Sequence, residues 1–151
     1  SSAIHLLRHI SNKPFRYFSS VNYEGKVEKK EGEDILTPFS QNYAGKMFFL
    51  IDGLGNSTTG HFMSLVKMLD LGIVIGEELG SNHFCSAGQK ICRLSNTKII
   101  YSIANNTHVS GATMFPDDRG VQPDYYIQQT LEEFLMHRDI VKEYAYKIIN
   151  N

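Results

Sequence analysis

The spacing of apolar positions changes twice in the middle of the chain, which predicts a strand, a helix and a second strand. Residues 46–52 form an apolar run between Gly45 and Gly53, which is typical of a strand buried on both faces. One face of a helix follows at spacings of three and four, formed by Phe62, Leu65, Val66 and Leu69. The helix is predicted to end at Gly72, and residues 73–77 form a second buried strand. This order predicts a βαβ unit with parallel strands.

The segments on either side are predicted from weaker patterns. Apolar positions in "SAIHLLRHI" indicate a helix that ends before Pro14. Residues 14–41 are irregular, and their charged cluster "EGKVEKKEGED" is typical of a solvated loop or a weak hairpin. "HFCSAGQKICRL" and "KIIYSIANNT" alternate around a turn at residues 95–96, which predicts two antiparallel strands. "GVQPDYYI" is predicted to be extended. A capping box at Thr130 and Glu133 opens the last helix, which is expected to bend or restart near Asp139.

Length and charge limit the classes of protein. A chain of 151 residues suits one compact domain, residues 1–151. Fifteen basic and sixteen acidic residues give a net charge of -1, so no strong field favours nucleic acid. No apolar run approaches the length of a membrane span, and no signal peptide is recognisable. Because the chain also lacks an initial Met, we expect a processed or partial chain.

Cysteine and histidine positions predict no metal centre. Cys85 and Cys92 could form a bridge if they face each other on a hairpin, or they could be two reduced and partly buried thiols. His5 and His9 lie four residues apart on the first predicted helix. The six histidines otherwise show no recognisable ligand spacing with the cysteines.

Ser57 stands between the first predicted strand and the helix, and two interpretations are open. A serine at this point is a preferred N-cap, whose hydroxyl accepts a bond from the first helical turn. Alternatively it is a nucleophile, because the carboxyl end of a parallel strand is where open α/β sheets place their sites. The unpaired N–H groups of the helix start would stabilise an oxyanion there. Small neighbours, Gly55 and Gly60, would let a peptide backbone approach.

A nucleophilic serine also needs a base, and spacing alone does not reveal one. The interval between Lys67 and Lys90 contains no lysine. Lys90 falls on the predicted hairpin, where a solvated side chain is the simpler interpretation. His61 lies early in the helix and could point back towards Ser57, or it could pack on the helix flank.

Acidic residues near the C-terminal third have simple structural interpretations. Asp117 and Asp118 follow Pro116 and would form a turn. Asp124 follows Pro123 and is interpreted as a structural hydrogen-bonding residue.

The ordered motifs resemble those of the tail-specific, or C-terminal processing, serine peptidases. The motifs are "FFLIDGLGNSTTGHF", "IVIGEELGSN", "AGQKICRLSNTKIIYSI" and "RGVQPDYYIQQTLEEFL". They correspond to a strand, a serine-centred turn and a helix, then a Gly-Glu pair, a hairpin, a "G..PD" motif and a terminal helix. The resemblance covers about two thirds of the chain, as the second half of a catalytic domain. It implies an α/β, crotonase-like (ClpP-like) fold of ββα repeats, with a mainly parallel sheet and an antiparallel hairpin.

The resemblance assigns roles to particular residues. Ser57 falls on the nucleophile, and the N–H of Thr58 would be one oxyanion donor. The lysine base of the processing peptidases falls near Asn82, so a Ser-Lys pair is not expected. The tricorn-like relatives instead use a histidine from an upstream segment, oriented by an acid at the position of Asp117 or Asp118. The glycine loop that supplies a second oxyanion donor also belongs to an upstream segment, so an incomplete site is expected.

The predicted function is therefore a serine endopeptidase acting on protein or peptide substrates, without metal or organic cofactor. An exported protein, periplasmic or of the cell envelope, is expected, and a homo-oligomer is possible. Two alternatives stay open. The chain could be an inactive relative that binds a peptide or a small apolar ligand, as the retinoid-binding relatives suggest. It could also be a crotonase-like enzyme acting on a thioester.

Overall fold

A computed structural model describes residues 2–29, 35–113 and 115–150. It contains four helices and nine strands in these ranges. In chain order they are α1 (Ser2–Ile10), β1 (Phe15–Arg16), β2 (Phe18–Tyr23), β3 (Lys26–Lys29), β4 (Ile35–Leu36), β5 (Phe48–Ile51), α2 (Thr58–Met68), β6 (Ile73–Gly76), β7 (Phe84–Arg93), β8 (Ile100–Ser110), β9 (Tyr125–Tyr126), α3 (Leu131–Leu135) and α4 (Ile140–Ile149).

The predicted strand–helix–strand unit is confirmed. β5 and β6 pair in parallel from Phe48 opposite Ile73 to Ile51 opposite Gly76, and α2 connects them. β9 extends the sheet in parallel on the other side of β6. The carboxyl end of β5 therefore leads directly into the turn that contains Ser57.

One expectation for this sheet was wrong. The run at 46–52 was expected to be buried on both faces, but Leu50 is 45% exposed while Ile51 is buried. The reason is position, since β5 is an edge strand of a three-stranded sheet. The side chain of Leu50 lines an open cavity shared with Val141 at the start of α4.

The antiparallel part of the fold is larger than expected. The predicted hairpin is confirmed as β7 and β8, which pair from Phe84 opposite Val109 to Arg93 opposite Ile100. β2 pairs with the other edge of β8 and β3 with β2, giving the order β3-β2-β8-β7. The sheet was expected to be mainly parallel, but six of the nine described strands pair antiparallel, four of them in this sheet and two as the pair β1–β4. The short strand β2 was missed because its partner β8 is distant in sequence.

Other predictions near the two ends of the chain are confirmed. α1 lies where its pattern indicated. Within the charged cluster, β3 is a strand paired with β2, which precedes the cluster, and residues 30–34 lie outside the described ranges. Thr130 and Glu133 form the predicted capping box of α3. Asp139 caps α4, which is the predicted restart. In the described ranges, no helix has both the length and the apolar character needed to cross a membrane.

Packing of α2 against α1 and both sheets forms the core. Buried side chains of this core include Leu7, Met63, Leu65, Val66 and Val74 from these elements and Val121 from the segment before β9. Asp124 ties strand β6 to helix α2, because its carboxylate accepts the Val74 N–H at 2.7 Å and pairs with Lys67. The structural interpretation of Asp124 is therefore confirmed. This core fixes the start of α2, where the candidate site lies.

Candidate active site

Ser57 occupies the N-cap position of α2 but does not act as a cap. Its side chain accepts no hydrogen bond from the helix start. Its backbone has φ 56° and ψ -123°, a combination found at the first central position of type II′ turns and favourable mainly for glycine. A non-glycine residue in such a region costs on the order of 1–3 kcal/mol and persists only when the surrounding structure holds it. The structure therefore turns the hydroxyl away from the role that a serine normally has at this point.

The hydroxyl instead points to the antiparallel sheet. Ser57 Oγ lies 3.1 Å from Cys85 Sγ on β7. Both residues open onto a cavity of about 270 Å³ between α2 and the sheet. The other lining residues are Tyr17, Phe18, Thr58, His61, Ser86, Ala87 and His108. Ser57 thus begins a helix and faces a cleft, as the nucleophile interpretation requires.

Thr58 is the first residue of α2. The backbone N–H at this position has no partner within a helix. It lies at the positive end of the helix dipole, next to the serine. This is the geometry in which an N–H group stabilises a developing oxyanion. The oxyanion role of Thr58 stays a prediction.

Gly55 and Gly60 contact the protein's own loop. A Cβ at Gly60 would lie 2.1 Å from the carbonyl oxygen of Asn82, and one at Gly55 would lie 2.3 Å from the Leu79 side chain. Close packing against the Asn82 backbone therefore explains why position 60 needs glycine, whereas the contact at Gly55 is with the end of a flexible side chain. A role in peptide binding stays a prediction for these two residues. Any such role would use their backbone and not the space that a side chain leaves.

His61 is a buried imidazole in the wall of the serine cavity. Its Nε2 lies 3.1 Å from the carbonyl oxygen of His108. Because a carbonyl oxygen only accepts, Nε2 carries the proton and Nδ1 is the acceptor of the neutral ring. Burial lowers the pKa of His61, and the bond to His108 opposes this in part. The ring is therefore neutral near pH 7, and the hydrogen bond of its Nε2 to His108 joins α2 to β8.

Asp117 and Asp118 lie on a different cavity from Ser57. They are exposed and line a polar cavity of about 380 Å³, together with residues of the 80–84 segment. The carboxylate of Asp117 lies 3.4 Å from Nε2 of His83. Burial lowers the pKa of His83, while the charge of Asp117 raises it in part. The described residues do not bring either acid to the serine hydroxyl, so their catalytic roles stay predictions.

Glu78 organises the loop that presents the two acids. Its carboxylate accepts from the Gly120 N–H at 2.8 Å and from the Arg119 guanidinium at 2.7 Å. These bonds, that to Arg119 first, lower the pKa of Glu78 to about 2. The carboxylate is thus ionised wherever the protein would be assayed. Glu78 thus helps to hold the 117–120 loop in place, together with the Asn82 side chain, which donates to the carbonyl oxygen of Asp117 at 3.0 Å.

No lysine is hydrogen-bonded to Ser57 among the described residues, as expected. Lys67 is paired with Asp124. Lys90 lies on β7 five residues beyond Cys85, which is about 16 Å along an extended strand. A Ser-Lys pair is therefore absent from the part of the chain that the structure describes.

The two cysteines are free thiols on the same strand, on either side of Gly88. Their positions on one hairpin arm confirm that part of the prediction, and no bridge joins them. Among the described residues, no group of three or more His, Cys, Asp or Glu side chains could hold a metal ion. His5 and His9 contact each other on α1 at 3.3 Å between their Nε2 atoms.

Three features of the site were not predicted. They are the strained backbone of Ser57, the contact of its hydroxyl with Cys85, and the pairing of His83 with Asp117. The alternation around Cys85 could have indicated which side of β7 it faces, but not that α2 packs there. No sequence pattern predicts the strained backbone of Ser57, because Thr59 stands where the G-x-S-x-G turn has its second glycine.

The sequence matches no protein-family model and no curated protein. Solved structures do share the fold. One is a protein from Parabacteroides merdae described as a candidate peptidase, with a TM-score of 0.63 and 15% identity over 97% of this chain and 46% of that chain. Another is the photosystem II D1 C-terminal processing protease, with a TM-score of 0.56 and 13% identity over 84% of this chain and 31% of that one.

The tricorn protease is a third similar structure, with a TM-score of 0.54 and 18% identity over 97% of this chain and 13% of that one. The chain thus spans less than half the length of each of these three proteins. At these identities the likeness shows the fold, and the activity of the neighbours is a separate question. The chain is a mixed α/β protein with the fold of the tail-specific, C-terminal processing proteases, as the sequence resemblance implied.

Proposed function

We propose that this chain carries the nucleophile of a serine endopeptidase of the tail-specific type, with Ser57 as that nucleophile. The observation that carries the proposal is the backbone of Ser57. A serine that served only as a cap would adopt relaxed extended dihedrals and bond to the helix. Here the residue is strained and its hydroxyl faces a cavity, as in the sharp strand-to-helix turns that expose nucleophilic serines.

In the proposed reaction, Ser57 Oγ attacks the peptide carbonyl and loses its proton to a base. The carbonyl oxygen becomes an oxyanion and accepts from the Thr58 N–H. The leaving amine takes the proton back from the base, and water then hydrolyses the acyl-enzyme. Asp117 or Asp118 orients the base. The sheets are proposed to follow the crotonase-like plan that the resemblance implies.

The base is proposed to come from outside these 151 residues, as a histidine in the tricorn-like arrangement. Two observations support this. Ser57 has no hydrogen bond to a lysine or histidine in the described ranges, where Cys85 is its partner. The acids also line a different cavity from the serine, so neither acid is in place to act as the base of Ser57. Substrates would be proteins or peptides, and the protein would be exported to the periplasm or cell envelope.

Fluorophosphonate labelling of the longer protein tests the proposal. We expect the probe on Ser57, identified by peptide mass spectrometry, and loss of labelling and of casein hydrolysis in Ser57→Ala. Ser86→Ala is the matched control, because Ser86 lines the same cavity and its removal should leave labelling intact. A folded longer protein that resists the probe, or labelling that survives Ser57→Ala, would reject Ser57 as the nucleophile.

The second candidate function is an inactive relative that binds a peptide or an apolar ligand. The observation in its favour is that the serine cavity is lined mainly by apolar and aromatic groups and holds no base bonded to Ser57. In that case the probe fails, while a peptide still protects Cys85 from a thiol reagent. The thioester alternative has no supporting observation in the structure.

A further inference from the structure

The thiol of Cys85 contacts the candidate nucleophile, and the proposed reaction gives it no role. Its Sγ lies 3.1 Å from Ser57 Oγ. Hydrogen bonds between the smaller nitrogen and oxygen atoms already span about 2.7–3.2 Å, so this contact with sulfur is short. Both side chains open onto the same cavity. The contact therefore lies where the proposed reaction would take place.

A second contact of the thiol sets the direction of this hydrogen bond. Cys85 Sγ also lies 3.8 Å from the carbonyl oxygen of Ser86. Because a carbonyl oxygen only accepts, the thiol proton is directed to Ser86, and a sulfur lone pair is left for Ser57. The hydroxyl of Ser57 is therefore the donor and the sulfur is the acceptor.

This bond selects the orientation of the Ser57 side chain. A serine side chain has three staggered rotamers. The cap bond that would select one of them is absent, and Cys85 is the hydrogen-bond partner of the hydroxyl in the described ranges. The contact with sulfur thus favours the rotamer that places Oγ in the cavity.

Paired strands on both sides of β8 give the thiol a rigid position. Cys85 of β7 lies opposite His108 of β8, which lies opposite Val21 of β2 on its other side. The backbone of Cys85 is therefore part of a section with three paired strands. A side chain that orients a reacting group needs support of this kind, because a loosely held one would not fix the geometry.

We propose that Cys85 is the positioning residue of the nucleophile, an inference that rests on the proposed function of Ser57. The thiol accepts the hydroxyl proton and keeps Oγ in the cavity until a base is in place. Sulfur suits this role because it is a weak acceptor, so a base that binds protons more strongly displaces it. The hydroxyl then turns its proton from Cys85 to the base as Oγ attacks, and no proton passes through the sulfur.

Three variants at position 85 of the longer protein separate the hydrogen bond from packing. Cys85→Ala removes the acceptor, Cys85→Ser keeps one, and Cys85→Val fills the space with an apolar group. A typical hydrogen bond changes populations by about two- to tenfold. The rate constant of fluorophosphonate labelling at Ser57 should therefore fall by about that factor in Cys85→Ala and in Cys85→Val. Cys85→Ser should stay within about twofold of the wild type.

Two further readouts separate positioning from a general structural role. With a peptide substrate, the loss should appear in kcat and not in KM, because the thiol acts on the nucleophile and not on the substrate. Cys92→Ser, at the other cysteine of β7, should leave labelling unchanged. Equal labelling of Cys85→Ala and the wild type would overturn the proposal. Rescue by Cys85→Val would also overturn it, since packing alone would then explain the loss.

Infrared spectroscopy distinguishes failure of this inference from failure of the proposed function. In the Cys92→Ser variant of the 151-residue chain, the S–H stretching band belongs to Cys85 alone. Ser57→Ala in this background should shift the band, because the sulfur loses its donor, and circular dichroism checks that both variants are folded. An unmoved band would overturn the hydrogen bond itself. A shifted band in a protein that resists the fluorophosphonate would reject the nucleophile, and the positioning role with it.

Discussion

Helix α2 and the outer part of the β7–β8 hairpin, residues 89–104 and here called the arm, contain similar apolar side chains. The structure encloses the helix and exposes the arm. Six of the eleven residues of α2 are buried, including the polar His61 and Ser64. In the arm, isoleucines on both faces remain more than half exposed, as at Ile91 and Ile103. The difference lies in the partners. α2 contacts α1 and two strands of the antiparallel sheet, whereas the two arm strands pair only with each other.

This contrast explains where the strained residue can exist. The unfavourable backbone of Ser57 persists because Gly60, one turn later, packs against Asn82 without room for a methyl group. An enclosed element can hold such a residue, since relaxation would disturb many contacts. The exposed tip of the arm also contains a residue of positive φ, Lys98 at 61°, but few contacts hold that turn in place. The strained residue that depends on its surroundings therefore lies in the enclosed region.

The largest expected effect comes from comparing a buried residue of α2 with an exposed residue of the arm. Leu65→Ala removes a fully buried side chain of α2 and should lower the free energy of unfolding by about 2–5 kcal/mol. Ile91→Ala removes a side chain that is 76% exposed and should change it by less than about 0.5 kcal/mol. Urea unfolding of both variants measures the difference. Equal losses would mean that the arm is not the exposed element described here.

Particular residues show how far the sequence could predict this structure. The spacing of Phe62, Leu65 and Val66 predicted α2, because each residue's environment follows from its neighbours in the same helix. β2 was missed because its place in the sheet depends on pairing of Val21 with His108, far away in the chain. The same reason applies to the contact of Ser57 with Cys85. Local periodicity predicts elements, while contacts between elements require the fold.

The second prediction concerns strain. Ser57→Gly should raise the free energy of unfolding by about 1–2 kcal/mol, because glycine tolerates these dihedrals and the lost hydroxyl makes no cap. Lys98→Gly is the control in the arm's tip, where φ is 61°. Because an exposed turn can relax its backbone, Lys98→Gly should leave the free energy of unfolding almost unchanged. Thermal unfolding of the two variants measures both changes. A Ser57→Gly variant less stable than the wild type would show that the backbone of Ser57 is not strained.

The third prediction concerns acid. Burial lowers the pKa of His61 and of His83 below the ordinary value of 6.5, and the neighbouring His108 and His83 charges act in the same direction on His61. Below pH 6.5 the two rings therefore bind protons more readily in the unfolded chain than in the folded chain. Their contribution lowers the free energy of unfolding as the pH drops below 6.5 and leaves it constant above that pH. Each ring contributes a slope of at most about 1.4 kcal/mol per pH unit. Urea unfolding between pH ~5 and pH ~8 should show a smaller slope for His61→Gln than for the wild type. An equal slope would mean that His61 is not responsible.

The smallest expected effect decides between the two interpretations of Ser57. Thr130 caps α3 with its side chain, accepting from the Glu133 N–H at 3.2 Å, and Thr130→Ala should cost about 1 kcal/mol locally. Ser57 occupies the same position of α2 without such a bond. Ser57→Ala keeps the Cβ and the strained backbone, so the free energy of unfolding should change by less than about 0.5 kcal/mol. Amide hydrogen exchange in the first turn of each helix measures the two effects side by side. Faster exchange at the start of α2 in Ser57→Ala would show that the hydroxyl caps the helix in solution, which would remove the main support for a nucleophile. Unchanged exchange, together with lost fluorophosphonate labelling, would separate the chemical role of this serine from any role in stability.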